Sequence, residues 1–579
     1  MNPANPARAR RPALGTIVLL IVLLMLPNLL WLARPHDIVT WVQALVLPSC
    51  MLITLFALLG RRPWLACLLL APFALLAPME IYYVAQYHHP TSAEIIATIV
   101  ATNPRETREY FGALLMPLAL CLAAGLALAC LAAWWSFRAG LRWRGRLRAA
   151  IVAIAIATPL ATAVAGFAGA RGTFAARAHA GAALLQTLAD QVQPGYPFGV
   201  FQRLAEYRRE WDAMRADAAK LDAFRFHAHR TGPQPHRRQV YVLVIGESSR
   251  RDHWQLFGYD RPTNPELSRI PNLVPIPHML TSWPESIAAI PMILTRRKPD
   301  MAWDAPWPEA SILRAMQEAG YQTWWISNQL AIGKFDSPVS MYAYEAEHVV
   351  WLNHASWTAG GSYDGDLVQP LRDALHDSDR DLFVVLHMMG SHEDYDYRYP
   401  PFFKRFRPTQ SDPAREGSTI ERARNSYDNT ILYTDHVLAQ IIGVLGKSGA
   451  VSALWFESDH GETLPTPTCN KQGHGLGARP EYQIPALVWY SDTYARAFPK
   501  RVATLRANAD KRTLSADTFE SLIDMAGITF PTHDESWSLF SPDWRYHTRL
   551  VNQTQHIDFD KAEFGKGCQI VLPDRDGGH

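Results

Sequence analysis

Five apolar stretches inside the first 170 residues constrain this chain more than any other feature. Leu14–Ala33, Ile38–Gly60, Pro63–Pro78, Phe111–Trp135 and Ala149–Phe167 are dominated by Leu, Ala, Ile and Val. A helix needs about 20 apolar residues to cross a bilayer, and four of the five reach or approach that length. The third is short, with Ile81, Tyr82, Tyr83 and Val84 available to extend it. Arg8, Arg10 and Arg11 before the first stretch give it the look of a signal peptide. The run is too long for one, lacks a small-residue cleavage site and is followed by further spans, so it reads as a retained helix.

Arginine in the connecting loops orients the spans. The N-terminus holds Arg8, Arg10 and Arg11, the second loop Arg61 and Arg62, and the fourth Arg138, Arg142, Arg144, Arg146 and Arg148. The loops between carry only Arg34, then Arg105 and Arg108. The N-terminus and even-numbered loops are therefore expected on the cytoplasmic side. Five crossings place everything after Phe167 outside.

This divides the chain into a membrane part (1–170), a bridge (171–238) and a soluble part (239–579). In the bridge, Phe198, Phe201, Leu204, Trp211 and Met214 recur at helical spacing, either facing a core or lying in the membrane interface. "HRTGPQPHRR" (His229–Arg238) reads as a linker. The net charge is +2 and charged residues make up 19%, which speaks against a nucleic-acid partner. Cys50, Cys67, Cys121 and Cys130 sit in apolar runs. Cys469 and Cys568 are the two left in the soluble part, and sequence alone leaves their pairing open.

From Gln239 onward strands alternate with helices, the pattern of an α/β fold with a mostly parallel sheet. Strands are expected at Val240–Ile245, Thr323–Ile326, Leu382–His387, Ala453–Phe456 and Ala486–Tyr490. Helices are expected at Ala310–Ala319, Asp366–Leu375 (with Pro370 near its first turn) and Ser418–Leu445. Functional groups in such sheets gather beyond the carboxyl ends of the strands. Glu247 follows the first strand. "LHMMGSH" brings His387 and His392, "ESDHGE" brings Asp459 and His460, and "KQGHG" brings His474 in a glycine-rich loop. Singly each fits an ordinary turn. Together, carboxylates and imidazoles without thiols suit catalytic Zn²⁺ or Mn²⁺. Ser286 opens an apolar helical run after Pro284 and Glu285, where it is either a nucleophile beside backbone N–H groups or simply the cap of that helix.

"GESSRRDHWQLFGYDRPTNP", "TSWPESIAAIP", "HMMGSHEDYDYRYP" and "SDHGE…GHG" occur in the order found in bacterial phosphoethanolamine transferases, which the whole chain resembles. The resemblance implies an inner-membrane enzyme with about five N-terminal helices and a periplasmic domain of the alkaline phosphatase/sulfatase type. It implies that Glu247, Asp459, His460 and Ser286 hold Zn²⁺. It also makes Ser286 the nucleophile where the family normally has Thr. His392 and His474 match histidines for a second metal or the substrate phosphate, and Lys334 in "NQLAIGKFDS" matches a lysine near the substrate. The implied donor is phosphatidylethanolamine, and the acceptor is lipopolysaccharide (a core sugar or lipid A) or another periplasmic glycan. "YRYP", "TSWPES" and the scarcity of cysteines resemble the lipopolysaccharide-core enzymes more than the lipid A enzymes. The alternatives are a phosphoglycerol transferase, a sulfatase-like phosphohydrolase, or a non-catalytic metal-binding membrane sensor or scaffold. Glu247-Ser248-Ser249-Arg250, Gly258-Tyr259-Asp260-Arg261 and the lack of a Cys/Ser-x-Pro-x-Arg stretch disfavour the first two. The presence of Glu247, Asp459 and His460 disfavours the third.

Overall fold

A computed structural model describes the chain except for residues 1–5, 34–35, 88–89, 92–95, 97–113, 170–173, 233, 302–306, 332–336, 354–361, 414–415, 553–555 and 574–579. It forms two compact units, Met1–Arg209 and Glu210–His579.

The first unit is helical: α1 (Pro6–Trp31), α2 (Ile38–Leu58), α3 (Pro63–Leu69), α4 (Ala71–Tyr87), α5 (Leu115–Arg138), α6 (Arg146–Gly169) and α7 (Phe174–Asp190). Among the described residues four helices have the length and hydropathy to cross a bilayer, and α3 with α4, bent by 45°, brings the number to five if the pair forms one broken span. The third apolar stretch therefore runs further than its sequence suggests. Pro78 lies inside α4 without ending it, because aromatic and apolar residues continue beyond it. The expected start of the fourth span, Phe111, lies outside the described residues. Glu80 in α4 would be costly in an apolar setting. Its carboxylate accepts from Arg203 Nη1 at 2.9 Å and from the Thr91 hydroxyl at 2.7 Å, so the buried charge is paired.

Residues Gly199–Leu221 form α8, over the segment where the aromatic stripe predicts a helix. The second unit is built on a seven-stranded sheet. Its strands are β1 (Gln239–Gly246), β2 (Leu273–Ile276), β3 (Gln322–Ser327), β4 (His348–Trp351), β5 (Leu382–His387), β6 (Val451–Ser458) and β7 (Ala486–Tyr490), in the order β2-β7-β6-β1-β5-β3-β4. All five expected strands are present; β2 and β4 are additional. Both are four-residue edge strands with half-buried positions, too short to leave a clear period in the sequence. The five strands β6-β1-β5-β3-β4 are parallel, whereas β7 runs antiparallel to both β6 and β2. β1, β5 and β6 are buried along their whole length, which explains why they read as unbroken apolar runs.

Helices α9 (Ser286–Leu294), α10 (Ile312–Glu318), α11 (Val368–His376) and α12 (Thr419–Lys447) accompany the sheet. Pro370 falls in the first turn of α11, where its missing N–H costs nothing. The amphipathic α12 starts at Ser418, whose side chain caps Glu421 N. Its apolar side joins Tyr427, Ile431, Val437, Leu438, Ile441 and Leu445 to the core against β1, β5 and β6.

Cys469 and Cys568 form a disulfide with Cα atoms 4.7 Å apart, closing a separation of 99 residues. A crosslink over so long a loop restricts the unfolded chain strongly. Replacing both cysteines with serine is expected to cost the second unit about 2–4 kcal/mol, read as a lower denaturation midpoint with unchanged spectroscopic secondary structure.

Candidate active site and metal centre

Strand register creates the site. Gly246 pairs with Ser458 across β1 and β6, so the residues that follow, Glu247 and Asp459, leave the sheet side by side. β5 ends alongside them, with His387 opposite Ile245. Its loop turns back at Gly390, where φ is +54° and a Cβ would lie 2.6 Å from the Glu247 carbonyl oxygen. Only glycine fits so close a return. Asp364, absent from the sequence expectations, fixes this loop by accepting from Met389 N and Gly390 N at 2.7 and 2.8 Å.

Around that point the structure gathers Glu247, Ser286, Asp459 and His460. The Ser286 hydroxyl donates to Glu247 Oε2 at 3.0 Å and lies 3.1 Å from His460 Nε2. His460 Nε2 is 3.5 Å from both Glu247 Oε1 and Asp459 Oδ2. The other ring nitrogen, Nδ1, is 2.8 Å from the Gly461 carbonyl. That bond keeps the proton on Nδ1 and leaves the Nε2 lone pair facing the cluster. Asp459 Oδ1 accepts from Ser248 N and His460 N, at 3.1 and 2.6 Å. Ser286 does not cap its helix. The cap position belongs to Glu285, which makes no side-chain capping bond, and the Ser286 hydroxyl points to the cluster instead.

The electrostatics of this cluster call for a cation. Glu247, Asp459 and His460 each offer one ligand atom, all within 4.8 Å of one another and all buried. Burial, reinforced by the neighbouring Asp459, pushes the Glu247 carboxyl well above the usual range. Asp459 Oδ2 is buried and makes no hydrogen bond among the described residues. Two buried carboxylates, one with an orphaned oxygen, beside an imidazole lone pair fit a divalent metal.

A second group, His460, Glu462 and His474, meets the same distance criterion. Glu462 escaped the sequence reading although it stands in "SDHGE". Its carboxylate accepts from the Tyr395 hydroxyl at 2.9 Å and lies 3.2 Å from His474 Nδ1. Burial and His460 lower the pKa of His474, but the bond to Glu462 outweighs them and the net shift is upward. The His474 ring centroid is 4.4 Å from that of His460 and 5.8 Å from that of His392. His387 is buried against Trp325, and desolvation pushes its pKa down to about 4.

A cavity of about 450 Å³ opens onto this group. Glu247, Ser286, His387, His392 and His474 line it, together with Gln329, Glu285 and Glu393 and the apolar Ile287, Ile290, Leu330 and Val339. Gln329, two residues beyond β3, was also missed; only its place at a strand's carboxyl end marks it. Lys334 lies outside the described residues. The Ser248–His253 cluster is absent from the cavity wall. Ser248 donates to Glu247 Oε1 at 2.6 Å, and the others turn the chain. Ser249 accepts from Trp254 Nε1, Arg250 pairs with Asp252, and His253 meets Asp428 of α12.

The sulfatase family model matches residues 239–528, half of the chain and the whole of this sheet and site. The chain belongs to the sulfatase family. Within it, the membrane half of this sulfatase-family protein matches the model described as phosphoethanolamine transferase EptA/EptB over residues 45–187. Phosphoethanolamine transferase EptC of Escherichia coli is 27% identical over 397 residues, covering 66% of this chain and 67% of its own length. Phosphoethanolamine transferase CptA of Salmonella typhimurium is 26% identical over 545 residues, covering 90% and 91%. The crystal structure of the C-terminal periplasmic domain of E. coli EptC in complex with Zn superposes with a TM-score of 0.52 at 27% identity, covering 59% of this chain and 98% of that one. Matches on both halves place this sulfatase-family chain with the phosphoethanolamine transferases, as its motifs implied.

Proposed function

We propose that the protein moves phosphoethanolamine from phosphatidylethanolamine to a glycan of the lipopolysaccharide class, by way of a phosphoserine at Ser286. The observation that carries this reading is the Ser286 hydroxyl held between Glu247 and His460 at the mouth of a cavity on a membrane-anchored chain. Glu247, Asp459 and His460 would hold a zinc ion, a reading supported by the similar E. coli EptC domain having been crystallised in complex with Zn. Zinc in that place would lower the pKa of the serine hydroxyl and offset phosphoryl charge.

The chain's own groups do the rest. Ser286 Oγ attacks the phosphorus, the bond from phosphorus to the diacylglycerol oxygen breaks, and that oxygen leaves as diacylglycerol after taking up the serine proton. An acceptor hydroxyl or phosphate oxygen then attacks the same phosphorus, the bond from phosphorus to Ser286 Oγ breaks, and Ser286 takes its proton from the acceptor hydroxyl, or from water where the acceptor is an ionised phosphate. His474, whose pKa is shifted upward, would balance charge on the phosphoryl oxygens; His392, whose pKa burial pushes well down, would donate to them as a neutral imidazole, and Lys334 is the further residue assigned to charge balance. Glu285 and Glu393 line the same cavity and suit the ammonium end of the headgroup. This acidic lining favours phosphoethanolamine over phosphoglycerol.

Incubation with headgroup-labelled phosphatidylethanolamine and lipopolysaccharide tests the proposal. Diacylglycerol and labelled glycan are the expected products. Free phosphoethanolamine alone would mark a hydrolase, preference for phosphatidylglycerol a phosphoglycerol transferase, and zinc binding without turnover a sensor.

Two substitutions probe the parts separately. Glu393→Gln should raise KM for phosphatidylethanolamine about tenfold, the cost of losing one contact to a charged group, with little change for a donor lacking the amine. Glu462→Gln keeps one acceptor oxygen and turns the other into an amide donor, so Tyr395 and His474 can no longer both donate to this side chain and the charge beside His474 is lost. It should lower kcat about 10–100-fold while one equivalent of zinc stays bound.

A further inference from the structure

On the membrane unit, a second cavity of about 490 Å³ is lined by Arg61, Arg62, Arg142, Arg144, Gly145 and Arg148. All the charged side chains in its wall are arginine. Among the described residues no carboxylate pairs with Arg61, Arg62, Arg142 or Arg144. Like charges brought together without a counter-charge repel one another, and exposed loops ordinarily relieve this by splaying.

Here the loops are tied together. Trp143 N donates to the Gly60 carbonyl at 2.6 Å. Arg148 Nε donates to Ala57 O at 2.7 Å and its Nη2 to Leu58 O at 3.3 Å, satisfying carbonyls at the end of α2. Contact is close enough that a Cβ on Gly60 would lie 2.5 Å from Arg148 Nε and 2.8 Å from Trp143 O. The absence of a side chain at residue 60 is what allows the α2–α3 and α5–α6 connections to meet. Arg61 and Arg62 are thus held facing Arg142 and Arg144 at the ends of apolar spans, where lipid headgroups lie.

We propose that this cavity binds the headgroup of an acidic phospholipid, its phosphate held between the Arg61/Arg62 and Arg142/Arg144 pairs. Arginine forks match phosphate oxygens, and basic pockets between membrane helices on the cytoplasmic side select anionic lipids. The wall offers no carboxylate to an ammonium group, which favours an acidic headgroup over a zwitterionic one, and it shares no residue with the cavity that Ser286 lines. The bound lipid clamps the two connections and with them the ends of α2, α3, α5 and α6.

The test uses the full-length protein in a non-ionic detergent, titrated with cardiolipin, phosphatidylglycerol, phosphatidylethanolamine or inorganic phosphate. Cardiolipin and phosphatidylglycerol should raise the unfolding midpoint of the membrane unit, and phosphatidylethanolamine and inorganic phosphate should not. Arg142→Gln with Arg144→Gln should weaken the lipid response about thirtyfold, while Arg10→Gln with Arg11→Gln, outside the cavity, should leave it unchanged. Without lipid, the cavity variant should unfold at or above the wild-type temperature, since repulsion has been removed. Native mass spectrometry of the unaltered protein gives a readout free of mutation: acidic lipid should survive competition by excess phosphatidylethanolamine. Equal retention of phosphatidylethanolamine, an equal shift from inorganic phosphate, or an unimpaired response in the cavity variant would overturn the proposal.

Discussion

Replacing Ser286 with alanine should lower diacylglycerol release by about 10⁴-fold or more, the scale of loss when a covalent nucleophile is removed. The variant should also fail to accumulate the phosphoethanolamine adduct that intact protein shows by mass spectrometry when acceptor is withheld. Its fold should be unaffected, because Ser286 makes no capping bond in α9 and, among the described residues, its hydroxyl bonds to the cluster residues Glu247 and His460. Ser286→Thr keeps the hydroxyl and adds one methyl. Turnover should stay within about tenfold, an overpacking cost near 1 kcal/mol. Undiminished release by the alanine variant would remove the covalent step from the scheme.

Glu247→Gln and Asp459→Asn should each lower zinc affinity by about 100-fold or more, beyond what loss of an outer-shell partner costs. Metal analysis after dialysis reads this directly. Stability gives a second measurement. Zinc at 100 times its wild-type Kd should stabilise the wild-type soluble unit by about 2.7 kcal/mol, and at the same zinc concentration this increment should fall to about 0.4 kcal/mol or less in both variants. The metal-free Glu247→Gln protein should be no less stable than metal-free wild type, since the substitution relieves the burial and Asp459 repulsion that push the Glu247 carboxyl upward. A variant that unfolds readily without metal yet binds zinc normally would make Glu247 a structural residue rather than a ligand.

The central sheet was legible because β1, β5 and β6 are buried on both faces and so carry unmistakable apolar runs. The residues just after them were legible for the same reason: a polar group closing such a run stands out. Glu462, Asp364 and Gln329 were not. Each earns its place through partners distant in sequence, such as Tyr395 for Glu462 and Met389 with Gly390 for Asp364, and pairing of that kind leaves no local period. Ser286 was ambiguous for a similar reason. A serine at a helix start caps or reacts according to where its hydroxyl points, and only the fold decides that. The disulfide also depended on tertiary placement, since 99 residues separate its two cysteines.

Helix α12 touches the site at second hand throughout. Tyr427 OH donates to Ser248 O at 2.6 Å and accepts from Arg250 N at 2.8 Å. Asp428 takes His253, Tyr259 and Arg261, and Thr430 donates to Ser391 Oγ at 2.7 Å. One rigid rod therefore splints the loops after β1 and β5, while none of its residues lines the reaction cavity. The part that holds the loops and the part that meets the substrate are then different sets of residues. A substitution in the cavity wall can therefore change what the site receives without disturbing the buried polar side of this rod that holds the loops in place.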